Sequence, residues 1–148
     1  MSRPRSAAPP RPRRLYIDTS AYLCILLGEL GSDRLSAETD GAELLSSVLV
    51  VLESKRNLVR LAREGVLAPE HYKTALDRLE QDMQMFVLRD LTLDLCRAAV
   101  LPAVATPRTL DLAHLLSALS FHAAEPLDRF VTMDAAQEQA AHELGLPV

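Results

Sequence analysis

Tryptophan is absent from this 148-residue sequence, and phenylalanine and tyrosine contribute only three residues each. That scarcity excludes the aromatic base-stacking platform many single-strand binders present, and it leaves any core to aliphatic side chains. Cysteine is almost as rare. Cys24 and Cys96 stand 72 positions apart in apolar surroundings, with no paired thiols and no Cys/His cluster. A structural zinc site is thereby excluded, and a disulfide scaffold is argued against. No apolar run approaches the ~18 residues of a membrane helix, the longest being 48–52 and 21–27. Also missing are Gly-x-x-x-x-Gly-Lys-Ser/Thr, Gly-x-Gly-x-x-Gly, Gly-x-Ser-x-Gly and His-Glu-x-x-His. Phosphate-loop, serine-hydrolase and zinc-protease chemistry therefore have no footing here.

What is present is leucine, 28 residues, and alanine, 20, a composition that favours helices around an aliphatic core. With 49% hydrophobic residues the chain is long enough for one domain but not comfortably for two. The net charge of −4 is unevenly placed: five of the sixteen basic residues, Arg3, Arg5, Arg11, Arg13 and Arg14, precede the first apolar run. Eleven basic residues then face twenty acidic ones. Pro4, Pro9, Pro10 and Pro12 interrupt the same head, so residues 1–14 are expected to form a disordered Arg/Pro-rich tail and 15–148 the folded domain. Asp18 breaks the apolar segment that a secretory signal would need, which leaves a cytoplasmic protein with no membrane association as the expectation.

Along the chain, 15–17 reads as a short strand and 21–29 as a helix halted by glycine. Residues 42–46 read as helical, 47–50 as a β-branched strand, and 52–64 as a helix stopped at Gly65. Pro69 suits the start of a helix over 69–85, with Tyr72, Leu76, Leu79 and Met83 on one stripe. A strand at 86–88, helices at 92–101 and 109–123, a strand at 129–132, a helix at 135–144 and an edge strand at 146–148 complete the pattern. Strands alternating with helices predict an α/β fold, a parallel sheet of four to five strands with helices on both faces. Such sheets bind ligands beyond the carboxyl ends of their strands.

Two acids fall at that edge, Asp18 directly after the first strand and Asp134 shortly after Phe130-Val131. Each has an adequate structural explanation: Asp134 opens an Asp-x-x-Gln capping box, and Asp18 stands where a helix dipole favours a carboxylate. Glu53 shares a helix face with Arg56, Asn57 and Arg60, as solvated charged faces do. Asp111 differs. Its helix is apolar nearly all round except for the stripe Asp111, His114 and Ser117, and a buried carboxylate needs compensation. Arg108 is one candidate partner, and a metal ion shared with other carboxylates is another. His114 reads as an orienting or packed residue, because hard cations prefer oxygen. If the four acids converge, they form an oxygen site for Mg²⁺ or Mn²⁺ facing a phosphate.

Several segments together resemble PIN-domain proteins, and more narrowly the VapC-type toxins of bacterial toxin–antitoxin pairs. They are Leu15-Tyr16-Ile17-Asp18-Thr19-Ser20-Ala21, Val51-Leu52-Glu53-Ser54-Lys55-Arg56, the run from Leu110 through Asp111 and His114 to Leu119, and Phe130-Val131-Thr132-Met133-Asp134 with its Leu144-Gly145-Leu146-Pro147-Val148 ending. Order and spacing carry the resemblance, which covers nearly everything after the head. It implies a PIN-like three-layer α/β/α nuclease domain over 15–148, with Asp18, Glu53, Asp111 and Asp134 as catalytic, metal-holding acids and Ser20 as an auxiliary contact. It further implies a Mg²⁺- or Mn²⁺-dependent endoribonuclease, usually a homodimer, inhibited by a cognate antitoxin protein. Thr92-Leu93-Asp94-Leu95 repeats the pattern of Thr109-Leu110-Asp111-Leu112, which makes Asp94 a rival for the third acid. Asp111 is preferred because only it is followed by His114 and Ala118-Leu119 at the resembling spacing. The acidic balance of the folded part shifts phosphate contacts onto Arg56, Arg60 or the tail. A catalytically silent scaffold and a DNA-directed nuclease are the rival classes.

Overall fold

A computed structural model of the chain describes residues 9–98, 101–105 and 108–148. Its elements in chain order are β1 (Arg14–Ile17), α1 (Thr19–Leu27), α2 (Ser32–Thr39), β2 (Glu43–Ser47), α3 (Leu49–Arg63), α4 (Pro69–Met83), β3 (Phe86–Arg89), α5 (Leu93–Arg97), α6 (Thr109–Ala124), β4 (Arg129–Val131) and α7 (Ala135–Glu143). The strands form one parallel sheet in the order β3-β2-β1-β4. Side-chain alternation along β1 sends Leu15 and Ile17 to one face and Tyr16 to the other. On the first face they meet Ala21 and Tyr22 of α1, Leu35 of α2, Leu58 of α3 and Leu79 of α4. On the second, Tyr16, Leu45 and Phe130 pack against Leu115 and Ala118 of α6 and Ala140 and Ala141 of α7. Both faces are covered, which is the expected three-layer α/β/α arrangement. Among the described residues no helix is long and apolar enough to cross a membrane.

Local signals account for most boundaries. Asp18 caps α1 by accepting from the Ala21 amide, and Gly28 closes it at φ 65°, with open space where a Cβ would stand. Gly28→Ala is therefore expected to cost about 1 kcal/mol from backbone conformation alone. A lower urea midpoint at unchanged slope checks it; an unchanged midpoint overturns it.

The structure corrects the reading in four places. Residues 42–46, expected to be helical, lie mostly in β2, and of 47–50, expected to be a strand, Ser47 ends β2 while 48–50 lead into and open α3. Leu44 packs into one core cluster and Leu45 into the other. That double burial between β1 and β3 outweighs the helix propensity of Ala-Glu-Leu-Leu. The second correction is α2, which no apolar periodicity announced because Leu35 is the residue it buries. Third, residues 146–148 form no strand: the Pro147 carbonyl accepts from the Phe130 amide at 2.6 Å, but a proline has no N–H to extend a ladder. Fourth, α5 ends at Arg97, well short of the expected 101, and residues 99 and 100 lie outside the description.

Residues 1–8 of the expected tail also lie outside the described residues. Arg14, counted with that tail by composition, instead opens β1 and is 6% exposed. Its Nε donates to Glu43 Oε2 at 2.8 Å, its Nη1 donates to the Glu125 carbonyl, and its amide donates to Asp128 Oδ2 at 2.7 Å. An arginine met by acids and carbonyls can be buried where a bare charge cannot.

The order β3-β2-β1-β4 has a consequence for ligands. Successive crossovers build the sheet outward from β1 through β2 to β3, and the chain then returns to place β4 on the other side of β1. The topological switch point lies between β1 and β4, and sheets of this kind bind ligands beyond the carboxyl ends of the strands at that point.

Candidate active site

Asp18 leaves the end of β1 and is 5% exposed. Its amide donates to the Val131 carbonyl of β4 at 3.1 Å, which fixes it at the switch point. Its Oδ1 accepts from Ser20 Oγ at 2.7 Å and from the Ala21 amide at 3.0 Å. Burial pushes this carboxyl above its ordinary value, against hydrogen bonds from Thr132, Ser20 and Ala21 and the nearby His114. Ser20 also accepts from the Met133 amide at 2.9 Å and lies 3.1 Å from Thr132 Oγ1. Thr132 in turn accepts from the Asp134 amide at 3.1 Å, so hydroxyls join the start of α1 to the turn between β4 and α7.

Asp134 ends that turn as the N-cap of α7, its Oδ1 accepting from the amides of Ala136 at 2.9 Å and Gln137 at 3.3 Å. The cap expected from Asp-x-x-Gln is present, but the reciprocal bond is not. The Gln137 side-chain Nε2 donates instead to the Asp111 backbone carbonyl at 2.9 Å, tying α7 to the first turn of α6. The Asp111 carboxyl is raised above its ordinary value by burial first. Arg108 opposes that shift, and the charges of Asp134 and Glu53 add to it. Among the described residues no ion pair joins Arg108 to Asp111, and Arg108 acts on the carboxylate through space, as does His114.

Glu53 projects from α3 and is half-buried. Its Oε1 accepts from Thr19 Oγ1 at 2.8 Å and stands 2.7 Å from His114 Nε2. The other nitrogen of that imidazole, Nδ1, lies 2.8 Å from the buried Tyr16 hydroxyl. Burial pushes the Glu53 carboxyl up, but the hydrogen bond from His114, the Thr19 hydroxyl and the charge of Arg108 outweigh it, and the net shift is downward.

All four predicted acids thus lie on elements that meet at one sheet edge. Asp111 senses Asp134 and Glu53, while Asp18 joins Asp134 through Ser20 and Thr132. Among the described residues no group of three or more His, Cys, Asp or Glu side chains stands at metal-binding spacing. Glu53 is held by Thr19 and His114, and Asp134 by the first amides of α7. Asp94 is exposed in the first turn of α5 and bonded to none of the four. Arg56 and Arg60 are exposed further along α3; Arg60 is engaged with Glu64 and Asn57 at 3.0 and 3.5 Å, and neither arginine bonds to the four acids.

Tyr16, Thr19, Thr132 and Gln137 belong to this site and were not singled out from the sequence. Only the polar stripe of α6 hinted at such a network, through His114. The donor chemistry suits a hard divalent cation: the oxygens are carboxylate and hydroxyl, and the mutual repulsion around Asp111 is what a cation would relieve.

No protein-family model matches the chain. Over 137 residues it is 33% identical to Ribonuclease VapC35 of Mycobacterium tuberculosis strain CDC 1551, and to that of strain H37Rv, covering 90% of this chain and 94% of each relative.

Proposed function

We propose, since this chain belongs to the VapC family of ribonucleases, that it hydrolyses phosphodiester bonds of RNA with the help of Mg²⁺ or Mn²⁺ and serves as the toxin of a toxin–antitoxin pair. The observation that supports the reading is that Asp18 and Asp134 follow β1 and β4, the strands of the switch point, and that Asp111 on α6 feels the charges of Asp134 and of Glu53 on α3. Those four side chains would hold the cation. When bound, it supplies a Lewis acid for the phosphate and a water of lowered pKa.

The chain's own residues supply the rest. Asp18 is kept in place by Ser20 and by the amide of Ala21, so it meets its partner without rearranging the backbone. Thr132 and Ser20 hold the turn that carries Asp134. Gln137 locks α6 to α7 and thereby sets Asp111 relative to Asp134. The domain's acidic balance repels RNA, so divalent charge at the edge and Arg56 on the exposed face of α3 draw the backbone in, with Arg60 as a second phosphate contact. An antitoxin protein and a second copy of the chain complete the set of partners, in the cytoplasm where the RNA lies.

Purified protein incubated with RNA and with DNA of the same sequence, each with Mg²⁺ and with EDTA, tests the reading. RNA should be cut only with Mg²⁺. Cleavage surviving chelation overturns the metal chemistry, preferential cutting of DNA overturns the substrate, and folded protein inert toward both makes the domain a silent scaffold.

A further inference from the structure

We propose that His114 is a positioning residue for Glu53, and that the Tyr16 hydroxyl holds its imidazole in the form protonated at Nε2. The activity arm of this inference rests on the function proposed above; the structural arm does not. The argument begins with what holds each acid. Asp18 and Asp134 cap helices, and backbone amides fix their carboxylates. Glu53 has no such anchor. It sits inside α3, where the amides are already used, and the Asn57 side chain donates to its carbonyl rather than its carboxylate. A long carboxylate with that freedom loses conformational entropy whenever it must adopt one rotamer.

Its anchor comes from other elements. Thr19 of α1 and His114 of α6 both reach Oε1, at 2.8 and 2.7 Å, which fills that oxygen and leaves Oε2 for a ligand. Proton count then fixes the imidazole. An ionised carboxylate only accepts, so Nε2 facing it must carry hydrogen. Nδ1 is the acceptor of the neutral ring, and its partner at 2.8 Å is the Tyr16 hydroxyl. Ser46 and Ser117, which flank that phenol, spend their own protons on the carbonyls of Ile17 and Ala113, at 2.6 and 2.8 Å. Among the described residues the hydrogen bond that the Tyr16 hydroxyl makes is the one to Nδ1, so the phenol proton goes there. Packing holds the donor in place: Tyr16 is fully buried, stacked on Phe130 at 5.3 Å and edge-on to His114 at 5.9 Å. A second partner that fixes tautomer and ring angle is how outer groups tune a ligand-bearing site.

Full-length, ¹⁵N-labelled, metal-free protein gives the first test. Long-range ¹H–¹⁵N correlation should show the His114 imidazole, identified as the signals that His114→Gln removes, as the Nε2–H tautomer with an unprotonated Nδ1, while His122, whose Nδ1 accepts from the Leu127 amide, keeps its own such pattern. A proton on Nδ1 alone overturns the proposal. The second test titrates Mn²⁺, followed by electron paramagnetic resonance. Tyr16→Phe and His114→Leu should weaken binding about 10- to 100-fold, the usual range for an outer partner. His114→Gln, whose amide replaces the Nε2–H donor, should stay within about threefold of the parent on that same scale. In RNA cleavage the weakened variants should lose kcat with KM little changed. Parent-like Mn²⁺ affinity in both Tyr16→Phe and His114→Leu refutes the positioning role. Should the parent neither bind Mn²⁺ nor cut RNA, the proposed function falls, and the imidazole spectrum alone decides this inference.

Discussion

Asp111→Asn should lower the RNA cleavage rate by about 10³-fold, because a site carboxylate that holds a cation underwrites several kcal/mol of transition-state stabilisation. Asparagine keeps the shape, so the Gln137 bond to the residue 111 carbonyl survives, and the loss reports the missing charge. The matched control is Asp94→Asn. Its local sequence, Thr-Leu-Asp-Leu, repeats that of Asp111, and both aspartates lie in the first turn of a helix. Only Asp111 senses the charges of Asp134 and Glu53, whereas Asp94 is exposed on α5. Cleavage by Asp94→Asn should stay within about twofold of the parent, since surface substitutions away from special features shift energies by ±0.5 kcal/mol or less. Single-turnover rates on one RNA, measured for the three proteins at the same Mg²⁺ concentration, decide the matter. Loss in Asp94→Asn with retention in Asp111→Asn would move the site to the other helix.

The contrast between these two strings also marks how far the chain could be read without coordinates. The alternation of strand and helix was legible, since β1, α4, α6 and α7 each carry a strong local signal: an apolar strand closed by a cap, Pro69 opening a helix, or an apolar run after Thr109. Where the local signal opposed tertiary burial, the reading failed. Ala-Glu-Leu-Leu favours a helix in isolation, yet Leu44 and Leu45 each complete a different face of the core. That Asp18 and Asp134 follow strands while Glu53 and Asp111 sit on helices was legible, because strand ends and helix stripes are local features. The network that supports them was not. Its partners are 34, 61 and 98 positions apart, in the Thr19–Glu53, His114–Glu53 and Tyr16–His114 pairs. No spacing rule reaches across such separations; only the sheet order that puts β1 between β2 and β4 brings them together.

Metal-free protein should lose stability as the pH is raised from the ordinary carboxylate value of 3.8 through the raised values of Asp18 and Asp111, and Asp111→Asn should lose less. The sign follows from the two raised carboxyls. Asp18 and Asp111 both have folded-state pKa values above the ordinary 3.8, chiefly through burial. Between that ordinary value and the raised one, the folded chain binds more protons than the unfolded chain, so stability falls as pH rises through the window. Their contribution is fully present below 3.8 and gone above the raised values. Glu53 acts oppositely, because its pKa is lowered from 4.5: its contribution is present above 4.5 and is lost as pH falls through the lowered value. Stability should therefore peak in mildly acid solution. Removing one charge by Asp111→Asn relieves the repulsion from Asp134 and Glu53 and should raise the melting temperature by a few degrees at pH 7.5, and by less at pH 5; about 1 kcal/mol corresponds to 2–4 °C in a chain near this size. Mg²⁺ should reverse the order. At about a hundredfold excess over its Kd a ligand that binds only the folded state adds about 2.7 kcal/mol, or roughly 5–10 °C, to the parent, and a site short of one carboxylate should gain much less. Thermal melts of both proteins at pH 5 and 7.5, with and without Mg²⁺, read all four quantities. Equal stabilisation by Mg²⁺ in the two proteins, together with a metal-free difference that does not grow with pH, would mean that Asp111 neither shares its charge with its neighbours nor helps hold a cation.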